Sequence, residues 1–156
     1  MAGHGRHGGL LKRSFRQVEM LEQSPSMTKG YDENIIKHET RIQAFEWPGE
    51  KYQCVMGCWC FGYLDHFDRE DALTGIYKAL KTDGFLVLFE SVVDRDSEVD
   101  AKRHWLEQQQ LIARREEFYD KFFDRAGFEV IHSERYNKDN VSPSDMMGYV
   151  LKKKYS

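Results

Sequence analysis

Three kinds of side chain in this sequence could do chemistry: carboxylates closing apolar runs, aromatics beside them, and a knot of thiols. Glu22 ends the run that begins at Val18, and Glu90 ends Phe85-Leu86-Val87-Leu88-Phe89. A carboxylate offers two acceptor oxygens in a fork, and one placed beside an amine can bind it or take its proton. The plainer reading of Glu90 is a cap on a sheet. Trp59 and Tyr63 close or follow another apolar run, Tyr52 to Trp59, and aromatic faces can hold a cation; the competing reading makes both core aromatics. Arg6 sits in a Gly- and His-rich start with Gly3 and Gly5, which is loop chemistry. Its planar fork suits a carboxylate, although an arginine near a terminus is usually a solvated charge. Cys54, Cys58 and Cys60 lie close together with no second ligand pair at zinc spacing. Buried thiols are expected there, and no metal site.

The elements that must position these groups follow from periodicity. Leu10 to Phe15 suits one or two helical turns, and Arg16 to Glu22 a short strand. After the break at Gln23-Ser24-Pro25-Ser26, a helix is expected from Met27 to Ile36 and a weak strand from His38 to Gln43. Tyr52 to Trp59 reads as a buried strand. Asp68-Arg69-Glu70-Asp71 opens a helix, with its acids at the positive end of the dipole and Ala72, Leu73, Ile76 and Leu80 as its apolar stripe. Lys81-Thr82-Asp83-Gly84 is a stop-and-turn signal before a strand, Phe85 to Phe89, apolar enough to be covered on both faces. Glu98 to Arg125 is a long helical region, Phe128 to Arg135 a strand, Asn137 to Ser144 a polar loop and Asp145 to Lys153 a last strand. Alternating strands and helices predict a parallel α/β sheet. Only a loop separates the final two strands, so that pair must be antiparallel.

Composition bounds the rest. A chain of 156 residues with 40% hydrophobic and 31% charged residues is one ordered domain by the usual prior. A formal charge of −3 argues against a general nucleic-acid binder. No apolar run has signal-peptide or membrane-spanning character. An odd number of closely spaced cysteines is no disulfide framework, so a reducing compartment, cytoplasmic or nuclear or an organelle matrix, is expected.

The order of local motifs resembles the seven-stranded, Rossmann-like methyltransferases that use S-adenosylmethionine, and within them the protein alpha-N-terminal methyltransferases. Ala2-Gly3-His4-Gly5-Arg6 is similar to that family's cofactor loop, and Val18-Glu19-Met20-Leu21-Glu22 to its next strand. Ile42-Gln43-Ala44-Phe45 matches a segment near the adenine. Trp59-Cys60-Phe61-Gly62-Tyr63-Leu64 matches a strand end, and Ala126-Gly127-Phe128 the helix end before the hairpin. The resemblance implies that Gly3, Gly5, Arg6, Glu22 and Gln43 hold S-adenosylmethionine, with Glu22 accepting both ribose hydroxyls. It implies that Trp59 and Ser91 meet the acceptor and that Glu90 and Tyr63 act in catalysis. The acceptor would be the α-amino group of a protein or peptide N-terminus. Glu90-Ser91 departs from the family's acid-Asn pair, Tyr63 stands in place of its histidine, and Gln109 and Gln110 stand where it has carboxylates. Two other functions follow from these departures: a methyltransferase-like subunit that binds without catalysing, and a small-molecule methyltransferase. The match begins inside the loop, so the sheet is expected to lack its first strand. A preceding segment or a partner chain would then complete it.

Overall fold

The computed structural model describes residues 2–92, 114–136 and 145–154. The chain divides into two compact units, Met1–Glu46 and Trp47–Ser156.

The first unit is built on a small parallel sheet. The opening loop turns twice, with Gly5 N–H donating to Ala2 O and Gly8 N–H to Gly5 O, and runs into helix α1, Gly8–Ser14. Strand β1, Glu19–Leu21, pairs in parallel with β2, Ile36–His38. Alternation along β1 turns Val18, Met20 and Glu22 inward. Val18 and Met20 form the core with Tyr31 and Ile35, and Leu11 and Phe15 pack against it. The helix expected over Met27 to Ile36 is a single turn, α2, Pro25–Thr28. Two features stop it. Gly30 favours no helix, and Asp32 folds its carboxylate onto the Asn34 N–H at 2.8 Å, a local turn that competes with helical bonding. Ile36 thereby becomes free to start β2, and the segment expected as a strand to Gln43 ends in a 3₁₀ turn, Ile42–Ala44.

The second unit holds a four-stranded sheet in the order β3-β4-β6-β5. Strand β3, Tyr52–Cys58, runs parallel to β4, Leu80–Val92. Between them lies a 3₁₀ turn, Phe61–Tyr63, and helix α3, His66–Ala79. Asp65 caps α3 by accepting the Asp68 N–H at 2.8 Å. Of the expected stripe, Ala72, Leu73 and Ile76 are buried on α3, as helical spacing requires, while Leu80, also buried, begins β4. The turn expected at Lys81–Gly84 survives as an irregularity at the start of β4: Tyr52 pairs with Leu80, and the next pair is Cys54 with Phe85. Glycine is required at 84, where a Cβ would come 2.9 Å from Tyr52 O.

Helix α4, Glu116–Arg125, follows; the earlier part of the long helical region, including Gln109 and Gln110, lies outside the described residues. Its Tyr119, Phe122 and Phe123 are buried, and Gly127 at φ 83° ends it. Strands β5, Phe128–Tyr136, and β6, Asp145–Lys153, make the antiparallel pair that the short connection demanded. The polar loop at 137–144 lies outside the described residues. β6 inserts between β5 and β4, antiparallel to both, with Val87 opposite Val150 at its centre. Leu86, Leu88, Tyr149 and Leu151 are fully enclosed, while the alternate residues Phe85, Val87, Phe89 and Val150 are only partly buried, so one face of the strand is better covered than the other, and not both equally as expected. Among the described residues no helix is long and apolar enough to cross a membrane.

Candidate functional site

In the first unit, the opening loop and the end of β1 converge. Glu22 is 6% exposed. One of its carboxylate oxygens accepts the Gly3 N–H at 2.9 Å and the other the Ser24 N–H at 3.0 Å. Each oxygen keeps lone-pair capacity beyond these single bonds. The loop's shape depends on glycine: Gly3 and Gly5 have φ of 55° and 72°, a region other residues rarely adopt. On the Gly3 side a Cβ would meet nothing within 4 Å, so the backbone there faces open space. On the Gly5 side a Cβ would fall 2.8 Å from the Tyr31 ring, whose hydroxyl donates to Gly3 O. Burial, then the Glu22 carboxylate, pushes the Tyr31 hydroxyl up to about 12, which keeps it a neutral donor. Arg6 and Gln43 are exposed, Gln43 within the 3₁₀ turn after β2.

Gly8 was not singled out from the sequence, yet it belongs to the same device. A Cβ there would lie 2.6 Å from Met20 Cε and 2.9 Å from Ile35 Cδ1, so a side chain at that point would force those two methyl ends to shift. Gly3-x-Gly5-x-x-Gly8 is the spacing in which successive glycines serve a tight turn, close backbone approach of a ligand and helix-on-strand packing. That spacing was the available signal.

In the second unit, the segment after β3 is pinned from several directions. Trp59 has φ 51°, a left-handed conformation that costs a non-glycine residue about 1–3 kcal/mol. Its N–H donates to Phe89 O at 2.8 Å. Glu90, with 0% exposure, accepts the N–H groups of Cys60 and Phe61 on Oε1 at 3.1 and 3.0 Å and that of Gly62 on Oε2 at 3.2 Å. Burial raises its carboxyl to about 7, against the pull of these three amides. Glu90, expected either to handle an acceptor amine or to cap the sheet, is enclosed, with both oxygens bonded to backbone amides. Ser91 is likewise buried, paired opposite Met146 in the sheet. Trp59 is half-buried and Tyr63 is 48% exposed, so the aromatics of this segment, and not its acids, reach the surface.

Arg69 is the residue the sequence reading passed over. It is completely buried, and donates from Nε to Phe61 O at 2.9 Å and from Nη2 to Leu64 O at 2.6 Å. Its signal was present: Arg69 occupies the first position of the apolar stripe continued by Ala72, Leu73 and Ile76, where a charge has no place without a partner. Around it, Arg69 Nη1, Arg114 Nε and the hydroxyls of Tyr119 and Tyr149 are buried without hydrogen-bond partners among the described residues. Both guanidinium groups lie over the Phe118 ring, at 5.7 and 5.3 Å. The cysteines are free, and burial raises Cys54 and Cys60 to about 11, so neither is a reactive thiolate. No group of His, Cys, Asp and Glu among the described residues could hold a metal ion.

The chain resembles solved structures at levels of identity that show the fold alone. An S-adenosylmethionine-dependent methyltransferase from Leishmania major superposes with a TM-score of 0.80 at 18% identity, covering 97% of this chain and 61% of that one. A methyltransferase-like protein of Bacillus halodurans gives 0.82 at 10% identity, covering 99% and 90%. LepI in complex with S-adenosylmethionine gives 0.76 at 12%, covering 98% and 41%. The chain thus spans about three fifths of the Leishmania protein's length. The architecture is the Rossmann-like methyltransferase fold, with its antiparallel strands at one edge. No curated protein sequence matches. A family model does match, over residues 2–147, and by it the chain belongs to the AdoMet-dependent proline di-methyltransferase family, whose cofactor is S-adenosylmethionine.

Proposed function

We propose that this protein transfers methyl groups from S-adenosylmethionine to the free α-amino group at the N-terminus of a protein or peptide. The observation that carries the reading is the convergence of Glu22 on the Gly3 amide, beside a glycine loop with an open face. These residues fit the cofactor. The Glu22 fork has acceptor capacity left for two ribose hydroxyls, and backbone at Gly3 and Gly5 can be approached closely. Arg6 would meet the methionyl carboxylate and Gln43 the adenine. The cofactor supplies a methyl on a sulfonium, ready for direct displacement. The protein's part is then orientation and an acceptor nitrogen stripped of its proton.

The family description favours a chain-terminal acceptor on chemical grounds. A proline can take two methyl groups only when its ring nitrogen is not already in a peptide bond, and such a nitrogen occurs at an N-terminus. Trp59 and Tyr63 offer faces suited to an amine that becomes a quaternary cation. Cytoplasm or nucleus is the expected location of such a substrate. The enclosure of Glu90 favours a second reading, a methyltransferase-like subunit that binds without catalysing, since the acid that closes β4 is bonded to three backbone amides.

Two measurements test the proposal. Calorimetry with S-adenosylmethionine should show saturable binding, and a peptide with a free Xaa-Pro-Lys start should gain the mass of one or more methyl groups. Binding without any mass gain would leave the second reading; the absence of binding heat at millimolar cofactor would remove the proposal altogether.

A further inference from the structure

We infer that Arg69 is a positioning residue for the acceptor-facing segment: its guanidinium holds the carbonyls of Phe61 and Leu64 while Glu90 holds the amides of Cys60, Phe61 and Gly62, and together they fix Trp59 and Tyr63. The inference rests on the proposed reading of those two aromatics as the wall that meets the acceptor.

Energetics separate this from a purely stabilising role. Taking a guanidinium out of water costs several kcal/mol, and a hydrophobic residue of similar volume at a buried position is often at least as stable. Position 69 lies on the buried stripe of α3, where leucine or methionine would pack against Ala72, Leu73 and Ile76 without that cost. Arg69 also leaves Nη1 buried and without a hydrogen-bond partner among the described residues. Its bonds go to the backbone of one short segment, five and eight residues earlier in the chain. A planar fork can hold two carbonyls at a fixed spacing, which neither lysine nor an apolar side chain reproduces. The segment so held begins with a tryptophan in a left-handed conformation. Such a conformation persists only where the surroundings over-determine it. The ring of Phe118, 5.7 Å from the guanidinium carbon, ties the same group to α4.

The test uses the full chain labelled with 5-fluorotryptophan, with the Trp59 resonance assigned from a W59F variant. In R69M and R69K the Trp59 line should move or split while the other tryptophan lines stay in place. S-adenosylmethionine affinity should stay within about twofold, and kcat/KM for the peptide should fall roughly ten- to a hundredfold, the scale of a displaced reacting geometry. R69K, which can reach one carbonyl, should recover part of the loss; it also serves if R69M does not fold. A folded R69K with an unmoved Trp59 line overturns the inference. So does loss of cofactor binding in step with activity, the mark of a general structural role. If the wild-type chain binds cofactor and methylates no peptide, the proposed acceptor is wrong, and the Trp59 line still decides whether Arg69 positions the segment.

Discussion

Glu22 and Glu90 look alike in the sequence and do opposite things in the molecule. Each closes an apolar strand, and each takes backbone amides. Glu22 takes one amide on each oxygen, keeps 6% exposure, and sits beside a glycine whose side-chain position is open space. Glu90 takes three amides, contacts the Cys60 thiol at 3.8 Å, and is sealed. What separates them is the neighbour. The glycine turn leaves open space at Gly3 beside the Glu22 carboxylate; the turn folded under an aromatic segment puts three amides on Glu90. A strand-end acid is therefore a site only where the adjoining backbone leaves room for a ligand.

The contrast can be broken most directly by truncating both acids. Glu90→Ala leaves three buried N–H groups without acceptors, each costing about 1–3 kcal/mol. Partly offset by the lost burial of the carboxyl, the net destabilisation should be on the order of 4 kcal/mol in urea unfolding. An E90A variant as stable as wild type would show that the clamp is idle. Titration sharpens the point. The folded Glu90 carboxyl lies near 7 against an ordinary 4.5, so the native state binds the extra proton. Its contribution is whole below about pH 4.5 and is lost as pH rises through about 7, a change of about 3 kcal/mol. Arg69, Tyr119 and Tyr149 share its surroundings electrostatically, but Glu90 is the group that changes charge over that window. Wild type minus E90Q stability, measured from pH 4 to pH 8, should trace that fall; a flat difference would contradict the sealed carboxyl.

Glu22→Ala should act on binding more than on folding. Losing charge-assisted bonds to the ribose should weaken S-adenosylmethionine roughly thirtyfold, about 2 kcal/mol, in calorimetry. Unchanged affinity would remove Glu22 from the cofactor site. The smallest effect is expected near the clamp. The hydroxyl of Tyr149 is buried and unpartnered, so Tyr149→Phe should be neutral or stabilising by up to about 1 kcal/mol, read as a slightly higher melting temperature. A marked loss of stability would reveal a buried water bonded to that hydroxyl.

Much of this was legible in the residues. The apolar runs from Tyr52 to Trp59 and from Phe85 to Phe89 read as strands and are strands, and the short connection before Asp145 forced an antiparallel last pair. Other features were misread for local reasons. The apolar positions between Met27 and Ile36 suggested a helix, but Gly30 and the turn at Asp32 outweighed them. The glycine spacing continued to Gly8 and was read only as far as Gly5. Arg69 broke its own apolar stripe, a mark visible in the sequence but passed over because charged residues are common in a first helical turn.

The amino-acid order by itself determined most of the strands and helices, where the chain must turn, and that an acid follows each of two strands. These are properties of neighbours along the chain: periodicity, glycine freedom and connection length. Tertiary structure alone decided which acid lies beside open space and which takes three amides. It also decided that an arginine on an apolar stripe holds carbonyls from another turn, and that a tryptophan is kept left-handed. Burial and hydrogen-bond partnership depend on groups brought together from distant positions, and no local pattern of residues carries that information.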